Sequence, residues 1–567
     1  MKNVNHIPHY NLRRYIVFMV FAMAIAGLLW RALSMQVVNR EFFKQQGDAR
    51  QLRVVTVPAH RGDIYDRNGE PLAISTPVDT VWLNPVESLK EGTEFTKLAE
   101  VLGLESKDLK QKVNSNSKRE FLYVKRHVDP ELGKKVQALK LPGVYLQREY
   151  KRYYPAGEVA SHLIGFSNVD DVGQEGIELA YEEWLRGVAG SKKIIRDRLG
   201  RAIDDVERIK SAEAGKSIYL SIDRRIQYLA YRTLKAAVKE HGAVAGSAVI
   251  LDVTTGEVLA MVNQPSFNAN DRRQLKPDAY RNRAVTDVFE PGSTMKPITV
   301  AAALETGKWH EKDNVRTSPG YMRVQGNTIK DIKNYGKLDI GEIILKSSNV
   351  GISKIALSIS QDQQLGMYQN FGFGFDTGSG YPGESSGSLN IGQLGDFERA
   401  AMAFGYGVSV TPLQLVRAYA AIANDGVIFP ASFIKLDKPP QGEKIISQKT
   451  AKALRSMMQK VVSSGGTGFD ASVPNYHVAG KTGTVHKFIA GGYAEDRYLS
   501  IFAGMAPASN PRLAMVVMLN EPSKGEYFGG QVAGPVFSKV MSGAMRLLNI
   551  APDDLKIVRN MQRGGQA

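Results

Sequence analysis

Cysteine is absent from all 567 residues. That excludes a disulfide framework, a thiolate metal site and a cysteine nucleophile. The nine histidines are scattered, with no His-x-x-x-His pair or His-rich cluster, so no metal site is expected. No cofactor is expected either. Acidic residues are fewer than basic ones, 57 against 73, which leaves a formal charge of +16. No nucleic-acid module accompanies that excess, so a membrane surface or an anionic wall substrate is the expected partner rather than nucleic acid. Long apolar runs are also scarce. Tyr15 to Trp30 is apolar throughout, and Ala32, Leu33, Met35, Val37 and Val38 extend it past Arg31. No second stretch of membrane length follows.

That single run sets the expected topology. Sixteen helical residues cover about 24 Å, short of a hydrocarbon core of roughly 30 Å, and extension to Val38 makes up the difference. Arg31 then snorkels toward the interface or finds a partner. Arg13 and Arg14 precede the run, which leaves the N-terminus in the cytoplasm and everything after about residue 39 outside. Ala24-Ile25-Ala26 resembles a signal-peptide cleavage site, but it lies inside a continuing apolar run, so an uncleaved anchor is the reading taken. The chain divides on this basis into a tail (1–14), an anchor (15–38), a non-catalytic module (39–215), a catalytic unit (216–550) and a flexible tail (551–567). The length prior alone suggests three to four domain-sized units.

Within 39–215, Val54–Val57, Thr80–Leu83 and Phe121–Val124 read as strands, and Thr93–Leu102 and Pro130–Leu139 as helices. Arg61–Gly69 ends in Asn-Gly, a hairpin signal. Arg152–Gly157 and Gly173–Glu178 are rich in turn residues and charge, and read as buried polar clamps without a nucleophile–base pair. From Ser217 onward a helix capped by Asp223 leads into a hairpin, Ser247–Val253 and Glu257–Val262. Helices follow over roughly 338–425. Strands return at His477–His486, Tyr498–Ala503 and Leu513–Leu519, and a final helix is expected at Pro535–Leu548. Strands early and late with helices between predict an α+β unit whose one antiparallel sheet is assembled from both ends.

The chemistry is carried by three motifs in order. Ser293-Thr-Met-Lys296 lies at a predicted helix start, and its i, i+3 spacing lets Lys296 reach Ser293 Oγ. Ser347-Ser348-Asn349 follows, then Lys481-Thr482-Gly483-Thr484 on a predicted strand. Ser-x-x-Lys recurs at Ser115–Lys118 and Ser432–Lys435, and Ser-x-Asn at Ser266–Asn268 and Ser388–Asn390, but Lys-Thr-Gly occurs once. The ordered triplet is a serine acyl-transfer signature. Ser293 is the expected nucleophile and Lys296 its base, which requires a pKa drop of about three units, or roughly 4 kcal/mol. Burial and Lys481 as a second cation supply that drop. Ser347 relays a proton, Asn349 holds a substrate amide, and Lys481, Thr482 and Thr484 suit a substrate carboxylate. The backbone N–H groups of Ser293 and Thr484 are candidate oxyanion donors.

With these motifs the chain resembles class B penicillin-binding proteins, and among them the division-specific septal D,D-transpeptidases of Gram-negative bacteria. Arg61–Gly69, Arg152–Gly157 with His162 and Gly165, Gly173–Glu178 and Gly405–Gln414 resemble segments of that family. The resemblance implies a single transmembrane helix, an elongated α/β pedestal or dimerisation-type module and a serine-β-lactamase-like transpeptidase domain with an antiparallel sheet flanked by helices. It also implies D-Ala-D-Ala stem peptides as donors, an amine of a neighbouring stem peptide as acceptor, and covalent inhibition by β-lactams. Catalytic Ser293, Lys296, Ser347 and Lys481 and substrate-binding Asn349, Thr482, Gly483 and Thr484 follow, with Tyr527 and Phe528 as an aromatic wall. Further implied partners are the inner membrane, divisome proteins and a separate SEDS-type membrane glycosyltransferase. The rival readings are a D,D-carboxypeptidase or β-lactam hydrolase, a membrane-anchored β-lactam sensor, for which fourteen cytoplasmic residues leave no output domain, and a scaffold with a vestigial site.

Overall fold

A computed structural model of the chain describes residues 11–43, 52–196, 202–271, 273, 276–489 and 492–554. Helix α1 (Asn11–Leu33) runs on through a π-helical turn, Ser34–Val38. Among the described residues it alone is long and apolar enough to cross a bilayer, and none of its side chains is buried against the rest of the chain. The expected tails fall largely outside the description, residues 1–10 at one end and 555–567 at the other.

The remainder gathers into two compact units rather than three or four. One draws its described residues from Met1–His60, Pro77–Tyr150 and Gly187–Ala214, the other from Arg61–Thr76, Lys151–Arg186 and Gly215–Ala567. In the first, Leu52–Val57, Gly190–Arg196 and Ala202–Lys210 form a three-stranded antiparallel sheet. Helices Phe95–Leu102, Ser106–Ser115 and Pro130–Ala138 bury Leu98, Leu102, Leu109, Val113 and Val136 against Val81, Leu83 and Leu122. Helix Ser106–Ser115 is missing from the sequence reading because only Leu109 and Val113 mark its apolar side.

Residues 61–76 and 151–186 group by contact with the second unit. They join the second unit because Ile64, Leu72, Leu163, Ile164 and Ile177 enter the same apolar core as Val249, Met261 and Phe433. The expected clamps lie here. Glu178 takes Arg61 Nε on one carboxylate oxygen at 2.7 Å and Arg152 Nε on the other at 2.6 Å. Arg61 also reaches Glu182 at 2.7 Å and donates to the carbonyls of Asp171 and Glu178. Arg152 also lies 3.8 Å from Asp63, so two buried guanidiniums converge on the buried Glu178 with Glu182 and Asp63 beside them.

The second unit is built on one five-stranded sheet. Helix α2 (Arg224–Glu240) starts at Asp223, whose side chain accepts from Arg225 N. Strands β1 (Ala245–Asp252) and β2 (Val258–Gln264) form the early hairpin. Helices α3 (Lys296–Glu305), α4 (Ile340–Lys346), α5 (Asn349–Leu357), α6 (Pro412–Ala423) and α7 (Gln448–Val462) fill the middle. Strands β3 (Ala479–Ile489), β4 (Gly492–Ala506) and β5 (Leu513–Asn520) precede helix α8 (Gly534–Leu547). The order is β2-β1-β5-β4-β3, antiparallel throughout, with Val249 opposite Val516 and Lys481 opposite Ala503. Side chains alternate between faces. Ala248, Ile250, Met515, Val517 and Phe502 pack with α2 and α8, while Val249, Leu251, Val516, Ile501 and Ala503 pack with the middle helices. Both faces are covered, which explains the nearly unbroken apolar run Leu513–Leu519.

Removing one member of a buried ion cluster strands the others without counter-charge. Glu178→Gln keeps the shape and removes the anion shared by Arg61 and Arg152. It should lower the unfolding free energy by about 3 kcal/mol, read as a shifted urea midpoint with an unchanged slope.

Candidate active site

The turn that carries Ser293 is 3₁₀, Gly292–Met295, and α3 begins at Lys296 with Pro297 in its first turn. Pro is tolerated there because its missing N–H would have no helical partner. The turn rests on the segment 405–410. Phe289 and Val410 exchange both backbone hydrogen bonds, and Gly292 N donates to Gly405 O at 3.2 Å. Gly405 has φ +86°, and a Cβ there would lie 2.2 Å from Gly292 O, so only glycine fits. Tyr419, fully buried on α6, donates to Thr294 O at 2.8 Å.

Strand β3 lies along the sheet edge, against this turn. A Cβ at Gly483 would stand 3.2 Å from both Pro291 O and Thr294 Cγ2, so the nucleophile turn lies directly on the strand backbone. Strand alternation turns Lys481 and Gly483 to this side and Thr482 and Thr484 to the other. Thr482 Oγ1 is 3.2 Å from Thr467 Oγ1, and Thr484 Oγ1 accepts from Gly529 N at 2.9 Å. Lys481 is fully buried and, among the described residues, hydrogen-bonds only to Thr482, its carbonyl at 3.2 Å and its hydroxyl at 3.4 Å. Of the expected carboxylate-binding trio, then, the Lys481 amine and the Thr482 hydroxyl meet at the strand edge, while the Thr484 hydroxyl is engaged by Gly529 N.

Ser347 ends α4 in the left-handed conformation, φ 57° and ψ 39°. A non-glycine residue held there costs about 1–2 kcal/mol. The distortion brings its hydroxyl between the other two groups. Ser347 Oγ donates to Ser293 Oγ at 3.0 Å and lies 3.0 Å from Lys296 Nζ. Nζ also donates to Ser347 O at 2.5 Å and to Asn349 Oδ1 at 2.8 Å. The direct Lys296–Ser293 hydrogen bond expected from i, i+3 spacing is not made. The amine is drawn instead to three acceptors in the α4–α5 turn, and Ser347 links it to Ser293 Oγ. Asn349 is committed at both ends, since its Nδ2 donates to Lys330 O at 3.2 Å.

Asp331 holds that turn in place. Its Oδ2 accepts from Ser348 Oγ at 2.6 Å, and its Oδ1 accepts from the backbone N–H groups of Asn349 at 2.6 Å and Val350 at 2.9 Å. A carboxylate at a helix N-terminus is favoured by both the free N–H groups and the dipole. Sequence reasoning missed Asp331, because the partnership joins a loop to a helix cap and leaves no spacing signal.

Electrostatically the cleft is unbalanced. Burial and the neighbouring Lys481 charge push the Lys296 pKa well below its ordinary value, and Asp331 offsets only part of this. Burial pulls Lys481 down to about 7. Tyr527 and Phe528 pack on each other, ring centroids 4.4 Å apart, and Tyr527 O accepts from Ser500 Oγ of β4 at 2.6 Å. The Tyr527 ring stacks on Tyr498 at 4.2 Å and Phe528 remains half exposed, so Tyr498 is a third member of the aromatic group. His477 and His486 stay outside the cleft, with His477 N on Asp553 and His486 Nδ1 against Ala494 O.

Residues 246–542 match the family model of the penicillin binding protein transpeptidase domain, and residues 56–220 that of the penicillin-binding protein dimerisation domain. The peptidoglycan D,D-transpeptidase FtsI of Escherichia coli K12 is 43% identical over 94% of this chain and 91% of its own length. A probable peptidoglycan D,D-transpeptidase, PenA, of Neisseria meningitidis is 40% identical over 96% of this chain and 94% of its own. Among solved structures, the transpeptidase domain of Burkholderia pseudomallei penicillin-binding protein 3 matches with 43% identity and a TM-score of 0.55, covering 59% of this chain and 97% of that one. A peptidoglycan synthetase from Bifidobacterium adolescentis matches with 26% identity and a TM-score of 0.70, covering 89% and 98%. Motif order, site geometry and these likenesses agree: the chain belongs to the class B penicillin-binding proteins, with a dimerisation and a transpeptidase domain.

Proposed function

We propose that the chain is a serine D,D-transpeptidase that cross-links peptidoglycan stem peptides at the division septum and is acylated by β-lactams. The observation that carries this reading is the chain of contacts Ser293 Oγ–Ser347 Oγ–Lys296 Nζ, with a second buried amine, Lys481, on the adjoining strand. Ser293 Oγ attacks the carbonyl of the penultimate D-Ala. Its proton passes to Ser347 Oγ as the Ser347 proton moves to neutral Lys296, which the cleft's electrostatics favour. The C–N bond breaks, the terminal D-Ala leaves as an amine carrying the proton back along the same path, and an acyl-enzyme remains. An amine of a second stem peptide then attacks and releases Ser293. Lys481, with the hydroxyls of Thr482 and Thr484 at the strand edge, receives the terminal carboxylate, and Asn349 holds a substrate amide after its Lys330 contact is exchanged. Gly483 permits the close approach of strand and turn. The Ser293 and Thr484 N–H groups form the oxyanion hole, and Tyr527 and Phe528 wall the groove.

The surrounding assignments belong to the same proposal. Helix α1 anchors the chain in the inner membrane with its N-terminus in the cytoplasm, as Arg13 and Arg14 favour, and the catalytic unit faces the periplasm. The module before residue 215 is the pedestal on which divisome partners act, including a SEDS-type glycosyltransferase that supplies the glycan strands.

Ser293→Ala should abolish labelling by a fluorescent penicillin and cross-linking of donor and acceptor stem peptides followed by mass spectrometry, with folding intact by circular dichroism. Persistent labelling would refute the nucleophile assignment, and hydrolysed donor without cross-linked product would make the enzyme a carboxypeptidase. Lys296→Arg should be equally silent, because a guanidinium keeps its proton.

The pH profile gives an independent check. Acylation needs neutral Lys296, so kcat/KM should fall as pH drops through its depressed pKa. Lys481→Ala removes the charge that lowers that pKa and should move the acid limb to higher pH. Asp331→Asn removes the charge that raises it and should move the limb to lower pH. Limbs that stay in place in both variants would exclude Lys296 as the titrating base.

A further inference from the structure

Glu290 stands three residues before Ser293 and takes no part in the proton path. One of its carboxylate oxygens, Oε1, accepts two hydrogen bonds, from Gly407 N at 2.7 Å and from the Tyr493 hydroxyl at 2.9 Å. Its other oxygen, Oε2, is buried without a partner. Gly407 belongs to the segment whose Gly405 supports Gly292. Tyr493 lies near the far end of the β3–β4 hairpin, the element that brings Lys481 to Thr484 beside the nucleophile. Its ring also packs edge-on against Tyr406, centroids 5.4 Å apart, and against Phe488 at 5.3 Å. A single carboxylate oxygen therefore joins three segments: the nucleophile turn, the support beneath it and the hairpin beside it. A buried carboxylate with an orphaned oxygen is costly to keep, and here the two charge-assisted hydrogen bonds on Oε1 offset that cost.

We propose that Glu290 is a positioning residue that fastens the far end of the β3–β4 hairpin to the turn of Ser293, and so sets how readily the cleft forms its acyl-enzyme. This rests on the reading of Ser293 as the nucleophile. The clamp works through geometry. Tyr493 is half exposed and touches no reacting group named above, yet its hydroxyl is the only hydrogen bond from the hairpin to Glu290 among the described residues. Glutamine at 290 retains a carbonyl acceptor at the Oε1 position, whereas alanine retains none.

The test uses the full-length protein in detergent micelles, with Glu290→Ala, Glu290→Gln and Tyr493→Phe. Two quantities are followed: the second-order rate of acylation by a fluorescent penicillin, and peptide-resolved hydrogen exchange over residues 484–498. Tyr493→Phe and Glu290→Ala should each acylate about tenfold more slowly, the equivalent of one charge-assisted hydrogen bond, and should exchange faster in the hairpin while β1 and β5 keep their protection. Glu290→Gln should restore most of both. Wild-type rates and exchange in Tyr493→Phe and Glu290→Ala would overturn the clamp, as would a Glu290→Gln variant as slow as Glu290→Ala. Should the unmodified protein take no label, the nucleophile reading falls, while the exchange measurement still decides whether the clamp exists.

Discussion

Two amines share one water-poor cleft, and the site depends on that arrangement. Each unit of pKa displacement is about 1.4 kcal/mol taken from the folded state's electrostatics, so the fold must hold Lys296 and Lys481 together against their preference for water. Burial is the larger influence on both, mutual repulsion adds to it at Lys296, and Asp331 restores only part. The outcome is a Lys296 amine held well below the ordinary lysine range. The Arg61–Arg152–Glu178–Glu182 cluster in the same unit is the opposite case. There every buried cation meets carboxylates, Arg61 facing Glu178 and Glu182 and Arg152 facing Glu178 and Asp63, which suits a structural joint. The lysine cleft is left in deficit, as befits a place where charge has to move.

The geometry that sustains this deficit is made mostly of backbone. Gly483 lets the Ser293 turn lie on the edge strand, Gly405 lets the same turn sit on its support, and Ser347 accepts a left-handed conformation that brings its hydroxyl between Lys296 and Ser293. Asp331 compensates for that distortion by gathering a hydroxyl and two N–H groups at the start of α5. The strain is local and the hydrogen bonds that hold it are local as well.

Much of this was legible in the chain. The three motifs fall on a helix start, a helix junction and an edge strand, and the strands that were read early and late do meet in one sheet. The strand reading carried that far because both faces of the sheet are apolar, which leaves unbroken apolar runs in the chain. Other features were not legible for physical reasons. Helix Ser106–Ser115 has too few apolar residues to declare a face. The path from Lys296 through Ser347 depends on competing acceptors, which spacing cannot rank. Asp331, Tyr419 and Glu290 act across large separations in sequence, and a single chain gives no trace of such pairings. The regrouping of 61–76 and 151–186 with the second unit likewise follows from shared burial rather than from any change in composition at residue 215.

The sheet's order has a consequence for how the molecule comes into being. Strand β1 lies between β2, its neighbour in the chain, and β5, which the ribosome makes near the end. Until β5 arrives, β1 and β2 are an unfinished ribbon, and Ser293 has no Lys481 beside it. The sheet that sets Lys481 beside the Ser293 turn is therefore closed only by a strand from the last part of the catalytic unit, so the cleft and the completed sheet arise together.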